Sequence, residues 1–289
     1  MTVMMKRIGL LCHPRLLQSK RLAAEIERIL LDLDVVAWVA SSWDDEQILS
    51  HALAHALGTD CIITLGGDGT IIRAARIMAE ARIPILGVNM GRVGFLAETE
   101  PKGIIGLLPT ILERKYRIEE RTMLHVKVSS ETRSTAEYEA VNDVVVGRGG
   151  IGRVVRVSTY VDGEYLTTYV ADGLIVATAT GSTAYALAAG GPILDPESED
   201  FLLVPIASHL SMAGALVLPG RTQVRMEAIS GCEATLTVDG QINRSLEDGD
   251  RVLVERSAHR ACFIRLSPPS HFYRTLVHRL RRPDHAPKR

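Results

Sequence analysis

The chain has 289 residues, 46% hydrophobic and 23% charged, a balance that suits a globular protein long enough for two domains rather than a disordered or membrane one. Its formal charge of -1 at pH 7 gives no basic field for counterion-driven binding of nucleic acid. No segment approaches the roughly 20 consecutive apolar residues of a membrane helix.

The apolar stretch at the N-terminus, MTVMMKRIGLL, is too short for a signal peptide. Cys12, Cys61, Cys232 and Cys262 lack CxxC spacing and read as reduced thiols. A cytoplasmic protein is therefore expected, with neither nucleic acid nor membrane as partner.

In chain order, the first third alternates apolar runs with helical periodicity. RIGLLC predicts a strand, SKRLAAEIERILLDL a helix, VVAWVA a strand, DDEQILSHALAHAL a helix and CIITL a third strand. Unbroken apolar strands are buried on both faces, as in a parallel sheet covered by helices. The pattern continues through a helix at TIIRAARIMAEA and a strand at IPILGVN, so residues 1–117 are expected to form an α/β domain on an open, mostly parallel sheet. After PKGIIGLLPTILERKY the texture changes. LHVKVSS, EYEAVNDVVVG, RVVRVSTYVDGEYLTTYVADG, ATLTVDGQ and RVLVERS are β-rich and joined by Asp-Gly or glycine-rich turns, which favour hairpins because glycine accepts positive φ. Residues 118–265 are expected to form a mainly antiparallel β domain interrupted by one helix near 183–190. HFYRTLVHRLRR is helical again, and 266–289 is expected to complete the first domain.

Three runs carry the chemistry. Strand CIITL leads into Gly66-Gly67-Asp68-Gly69-Thr70 and then a helix. The glycines remove Cβ atoms that would hold the backbone away from a ligand, and the helix start offers N–H groups and a positive dipole end to phosphate. Thr70 is placed to cap that helix. A carboxylate in such a turn would repel phosphate unless it handles a proton or a metal. Asp68 is thus a candidate general base that takes a hydroxyl proton during attack on a phosphoryl group; the plainer alternative is an aspartate that only shapes the turn. No G-x-x-x-x-G-K-[ST] occurs, so the P-loop lysine is missing.

The second run, Gly87-Val88-Asn89-Met90-Gly91-Arg92-Val93-Gly94-Phe95-Leu96, sets glycines at the carboxyl edge of the same sheet, where open α/β sheets bind ligands. Loop geometry alone would explain it equally well. The third run goes from Asp172-Gly173 through Thr180-Gly181-Ser182-Thr183-Ala184-Tyr185 to Gly190-Gly191-Pro192. A hydroxyl-rich turn there opens a short, alanine-rich helix on which a flat base or dinucleotide could lie; a capped structural helix is the alternative.

Together with Asn142-Asp143, Asp239-Gly240-Gln241 and the terminal Ser270-His271-Phe272-Tyr273-Arg274-Thr275-Leu276, these runs resemble the NAD kinase family, the ATP-NAD or polyphosphate/ATP-NAD kinases, over most of the chain. The Gly-Gly-Asp-Gly-Thr turn alone is shared with diacylglycerol and sphingosine kinases; the whole set in this order is specific. The resemblance implies phosphorylation of the 2′-hydroxyl on the adenosine ribose of NAD, with ATP or polyphosphate as donor. It makes Asp68 the proton acceptor, with Gly69 beside it against the nucleotide and Arg73 facing phosphate. Asn142 and Asp143 match an Asn-Glu pair that contacts the adenosine part of NAD. Arg153, Asp172, Thr183, Ala184 and Tyr185 fall at positions lining the NAD site, as do Ala186, Leu187, Ala188 and Gln241. Mg²⁺ or another divalent cation would accompany ATP on its phosphates, with no protein ligand identified, and a homodimer or homotetramer is implied. Two departures stand out: Asp143 replaces the usual Glu, and Gly214-Ala215 replace an Arg-Pro pair within residues 208–219.

Other signals are declined. Gly147-Arg148-Gly149-Gly150-Ile151-Gly152 fits G-x-G-x-x-G, but the alternating residues after it start no helix, so a hairpin loop is expected. His51 and His55 read as a solvated helix face without a third ligand. Asp162-Gly163 and Asp248-Gly249 read as hairpin turns, and the basic tail (Arg279, Arg281, Arg282, Lys288, Arg289) as a solvated terminus. Two rival functions remain at this level: a lipid kinase using the same glycine turn, and a non-catalytic sensor of NAD or NADP.

Overall fold

The computed structural model describes residues 4–40, 58–91, 94–149, 154–208, 214–229 and 234–280. The helix expected at 44–57 with His51 and His55, the residues Arg153 and Cys232, the loop positions 150–152 and 209–213 and the tail beyond 280 lie outside the described residues. The chain divides into two compact units: residues up to Glu119 with those from Cys262 onward, and Glu120–Ala261.

In the first unit, β1 (Arg7–Cys12), α1 (Leu17–Asp32), β2 (Val36–Ala40), β3 (Cys61–Gly66), α2 (Asp68–Met78), β4 (Ile85–Asn89) and α3 (Pro101–Leu112) follow one another. The strands pair in parallel in the order β2-β1-β3-β4. Leu22, Ile26 and Leu30 of α1 and Ile104, Leu108 and Leu112 of α3 recur at helical spacing and pack with Ile8, Leu10, Ile63, Leu65, Leu86 and Val88. The opposite face of β4 receives α2. A Cβ on Gly87 would lie 2.6 Å from Ile71 Cδ1, so this helix sits as close as it does because position 87 has no side chain. Residues of β1, β3 and β4 are thus buried on both sides, which is why these strands are apolar throughout, whereas the edge strand β2 leaves Val36 and Val39 exposed. Phe263, returning late in the chain, pairs in parallel opposite Ile85.

The second unit is built from antiparallel strands. After β5 (Arg117–Ser129), which enters it, come β6 (Ala136–Ala140), β7 (Asp143–Arg148), β8 (Val155–Val161), β9 (Glu164–Ala171), β10 (Gly173–Thr178), α4 (Tyr185–Ala188), β11 (Phe201–Ile206), β12 (Leu216–Leu218), β13 (Val224–Ala228), β14 (Ala234–Val238), β15 (Ile242–Leu246) and β16 (Arg251–Arg265). The last helix, α5 (His271–Leu280), belongs to the first unit. One sheet runs β12-β11-β10-β7-β14-β15; against it β16, β13, β8 and β9 pair antiparallel in that order. Alternate residues of both, among them Val144, Val146, Leu174, Val176, Leu236, Val157, Val224, Met226 and Val254, form the core between them. The other face of β10 and β11, with Ile175, Ala177, Leu202 and Val204, is covered by Ala186.

Several local expectations change. The helix near 183–190 shrinks to a 3₁₀ turn at Gly181–Thr183 and the single turn α4, stopped by Gly190 at φ 90°. EYEAVNDVVVG is broken after Ala140, because Val141, Asn142 and Asp143 turn their N–H groups to Asp239. Asp162-Gly163 is a hairpin turn between β8 and β9, with both residues at positive φ. Gly147–Gly152 and Asp248-Gly249 do not join hairpins. β7 and β8 belong to different sheets, as do β15 and β16, so each link carries the chain across the core. The hairpin of β14 and β15 turns instead at Asp239-Gly240, both at positive φ.

Candidate active site

In the first unit, β3 ends at Gly66 and α2 begins at Asp68, so the carboxylate belongs to the helix's first turn. Thr70 is no cap: Gly67 holds the cap position without a side-chain bond, and the Thr70 side chain fills the space over Gly66, where a Cβ would meet its Oγ1 at 2.3 Å. Gly67 has open space around it, and Gly69 is exposed. Arg73, one turn further along α2, is half-buried.

Asp68 is gripped by the second glycine run. Its Oδ2 accepts the Phe95 N–H at 2.8 Å and its Oδ1 the Leu96 N–H at 3.3 Å. A Cβ on Gly94 would overlap the same carboxylate at 2.2 Å, so only glycine admits it there. Two amides therefore fix the carboxylate while its half-buried setting leaves lone pairs for a further donor. The sequence presented residues 87–96 as a ligand loop or as a loop whose glycines serve geometry alone; the contact of Gly94 with Asp68 belongs to neither reading.

In the second unit a cleft of about 530 Å³ opens beside β7 and β10, lined by Asn142, Asp143, Val145, Gly147, Arg148 and Asp172, with Ala184, Tyr185, Ile206, Thr237, Asp239 and Gly240. Five of the residues expected at the NAD site, Asn142, Asp143, Asp172, Ala184 and Tyr185, are thus gathered there. Thr183 turns its hydroxyl to the Thr180 carbonyl at 3.2 Å, Ala186 is wholly buried in the core, Leu187 is half-buried and Ala188 exposed; Gln241 follows the β14–β15 turn. Thr237 went unnoticed in the sequence, where nothing sets it apart from other strand residues, and Arg148 stood there only within the declined Gly147–Gly152 run.

Asp239 builds the floor. Its Oδ1 accepts the Asn142 and Asp143 amides at 2.7 and 3.2 Å, and its Oδ2 that of Val141 at 3.1 Å. Thr178 adds a hydroxyl bond to the Val141 carbonyl at 2.6 Å. Gly181 is required beside this turn, since a Cβ there would lie 2.1 Å from the Asn142 carbonyl oxygen. Burial, with the Asp239 charge as the second cause, pushes the Asp143 carboxyl up to about 7. Asn142 keeps a buried Oδ1 without a hydrogen-bond partner among the described residues. Arg148 pairs with Asp172 at 3.2 Å on the rim. Among the described residues no group of three or more His, Cys, Asp or Glu side chains could hold a metal ion.

A parallel α/β unit presenting a carboxylate from a glycine turn, joined in one chain to an antiparallel unit with a polar cleft, fits the class of nucleotide-dependent kinases. Comparison with known proteins makes this specific: residues 8–116 match the ATP-NAD kinase N-terminal domain and 141–266 the ATP-NAD kinase C-terminal domain. NAD kinase of Dehalococcoides mccartyi (strain CBDB1) is 39% identical over 279 residues, 96% of this chain and 97% of the relative. That of Chloroflexus aurantiacus is 40% identical over 281 residues, 96% and 100% of the two chains. The crystal structure of an NAD kinase from Archaeoglobus fulgidus in complex with ATP superimposes with a TM-score of 0.74 at 28% identity, covering 94% of this chain and 98% of that one. Yeast NADH kinase complexed with NADH has the same fold, with a TM-score of 0.83 at 23% identity over 95% of this chain and 87% of that one. The chain belongs to the NAD kinase family.

Proposed function

We propose that this NAD kinase transfers the terminal phosphoryl group of ATP to the 2′-hydroxyl on the adenosine ribose of NAD, giving NADP and ADP. The unit up to Glu119 and from Cys262 onward supplies Asp68, and the cleft of the unit Glu120–Ala261 is the proposed NAD site. In the cleft, Asn142 Oδ1 accepts a donor from the adenosine part, Asp143 accepts ribose hydroxyls, and the backbone beside Ala184 and Tyr185 lies against the ligand. Thr183, Ala186, Leu187, Ala188, Gln241 and Arg153 belong to the proposed site on resemblance.

Asp68 orients the 2′-hydroxyl and takes its proton as the oxygen bonds to the terminal phosphorus and the bridging P–O bond breaks toward ADP. Phosphoryl transfer passes through a loose transition state, so alignment and charge neutralisation lower the barrier more than the base does. Mg²⁺ or another divalent cation enters with ATP on its phosphates, and Arg73 faces that phosphate chain. Polyphosphate as a second donor, a cytoplasmic location and a homodimer or homotetramer complete the proposal.

The observation that carries this reading is the Asp68 carboxylate, held by two backbone amides and still open to a hydroxyl. Replacing Asp68 by Asn removes the base at constant shape. With labelled ATP and NAD, turnover is expected to fall by about 10²–10⁴ while NAD binding stays close to wild type; lost binding with preserved turnover would reverse the assignment.

A further inference from the structure

The loop that grips Asp68 is itself gripped from below. Arg265, with its side chain only 7% exposed, donates from Nη1 to the Leu96 carbonyl at 2.7 Å and from Nε to Glu119 Oε1 at 2.9 Å, and the same Nη1 lies 3.4 Å from Glu98 Oε2. Glu98 Oε1 accepts the amides of Leu266 and Ser267, both at 2.9 Å. Arg117 closes the ring, with Nη2 on Glu119 Oε2 at 2.8 Å and Nε on the Ser267 carbonyl at 3.0 Å. On the other side of the loop the Phe95 ring meets that of Phe272, with centroids 6.5 Å apart.

Two arginines and two glutamates in such a setting gain little stability over apolar packing of the same volume, because desolvation offsets their attraction. Such a network instead fixes geometry, and the planar guanidinium reaches three acceptors that a lysine ammonium could not serve together. The fixed point is Leu96: its carbonyl is held by Arg265 and its amide holds Asp68.

We propose that Arg265 is a positioning residue for phosphoryl transfer, fixing the Leu96 peptide so that the Leu96 and Phe95 amides aim the Asp68 carboxylate. This rests on Asp68 being the base, and the test separates the two. Full-length Arg265→Lys and Glu119→Gln are assayed for kcat and for KM with NAD, alone and combined with Asp68→Asn; single-turnover measurements with labelled ATP follow the slow variants, and NAD calorimetry checks the fold. Arg265→Lys is expected to lower kcat about 10- to 100-fold, the range for loss of a charge-assisted hydrogen bond, with KM for NAD within about threefold. Added to Asp68→Asn it is expected to cost less than about threefold, because no carboxylate is left to misaim. A wild-type kcat for Arg265→Lys, or a loss that multiplies in full on Asp68→Asn, overturns the proposal while the base stands. If Asp68→Asn alone turns over like wild type, the base assignment itself is wrong. Should Arg265→Lys fail to fold, Glu119→Gln carries the same comparison, since its one amide oxygen cannot accept from both Arg265 Nε and Arg117 Nη2 as the carboxylate does, which loosens the guanidinium that holds Leu96.

Discussion

Gly94→Ala tests the aim of Asp68 without altering any charge. The new Cβ would sit 2.2 Å from Asp68 Oδ1 and 2.3 Å from its Cγ and Oδ2, whereas non-bonded carbons keep about 3.5 Å. The carboxylate must therefore retreat by about 1 Å, and its bonds to the Phe95 and Leu96 amides lengthen or break. Being the end of a flexible, half-buried side chain, it recovers water there, so stability falls by only about 1 kcal/mol. In a chain of this size that is a Tm change of about 2–4 °C. Turnover responds more strongly: misplacing a reacting group by about 1 Å costs about 10²-fold, equal to about 2.7 kcal/mol of barrier. Steady-state assays with NAD and ATP, beside a thermal melt, should find kcat down by this factor and KM for NAD within about threefold. A folded Gly94→Ala protein with wild-type kcat would refute the link between the second glycine run and the carboxylate.

Asp143 makes stability pH-dependent. Its carboxyl is raised to about 7 by burial and by Asp239, so the native state keeps a proton that the unfolded chain releases near pH 4. Stability from this group is thus present at low pH and lost as pH rises from about 4 to about 7. Asp143→Asn should flatten the stability profile over that window and raise the unfolding free energy at pH 8 by at most about 4 kcal/mol, seen as a higher Tm, while raising KM for NAD; an unchanged profile would show that the group is not buried as a neutral acid. Asp239→Ala leaves the amides of Val141, Asn142 and Asp143 without their acceptor, which should cost about 2–3 kcal/mol in denaturant melts and weaken NAD binding measured by calorimetry. Gly181→Ala sets a Cβ 2.1 Å from a backbone carbonyl that cannot swing aside, so a loss of about 1–3 kcal/mol is expected; a melt indistinguishable from wild type would contradict the close approach.

Much of the fold was legible because it depends on local pattern. Unbroken apolar runs such as CIITL announced a sheet covered on both faces, and alternation with Asp-Gly turns announced antiparallel pairing. The resemblance carried by Gly66–Thr70, Asn89–Leu96 and Thr180–Tyr185 also identified the family. Hairpins were misjudged where turn chemistry was all there was to read. Glycines at 147–152 and Asp248-Gly249 suit hairpins, yet which strand is paired next is set by burial across the whole core, and here it sends the chain to the other sheet. The helix near 183–190 likewise shortened, since its hydroxyls are bonded to the preceding turn at Ala179 and Thr180.

That strands end in glycine turns carrying Asp68 and the Thr-Gly-Ser-Thr run could be read from residue types alone, because a residue's need for an unhindered backbone is written in its own identity. What those residues meet follows from the packed fold. Gly94 makes room for a carboxylate on another helix, Asp239 gathers the amides of residues 141–143 from far along the chain, and Arg265 reaches Leu96. Such partners are chosen by the packing of whole sheets, which brings distant backbone donors and acceptors together and leaves no trace in local spacing.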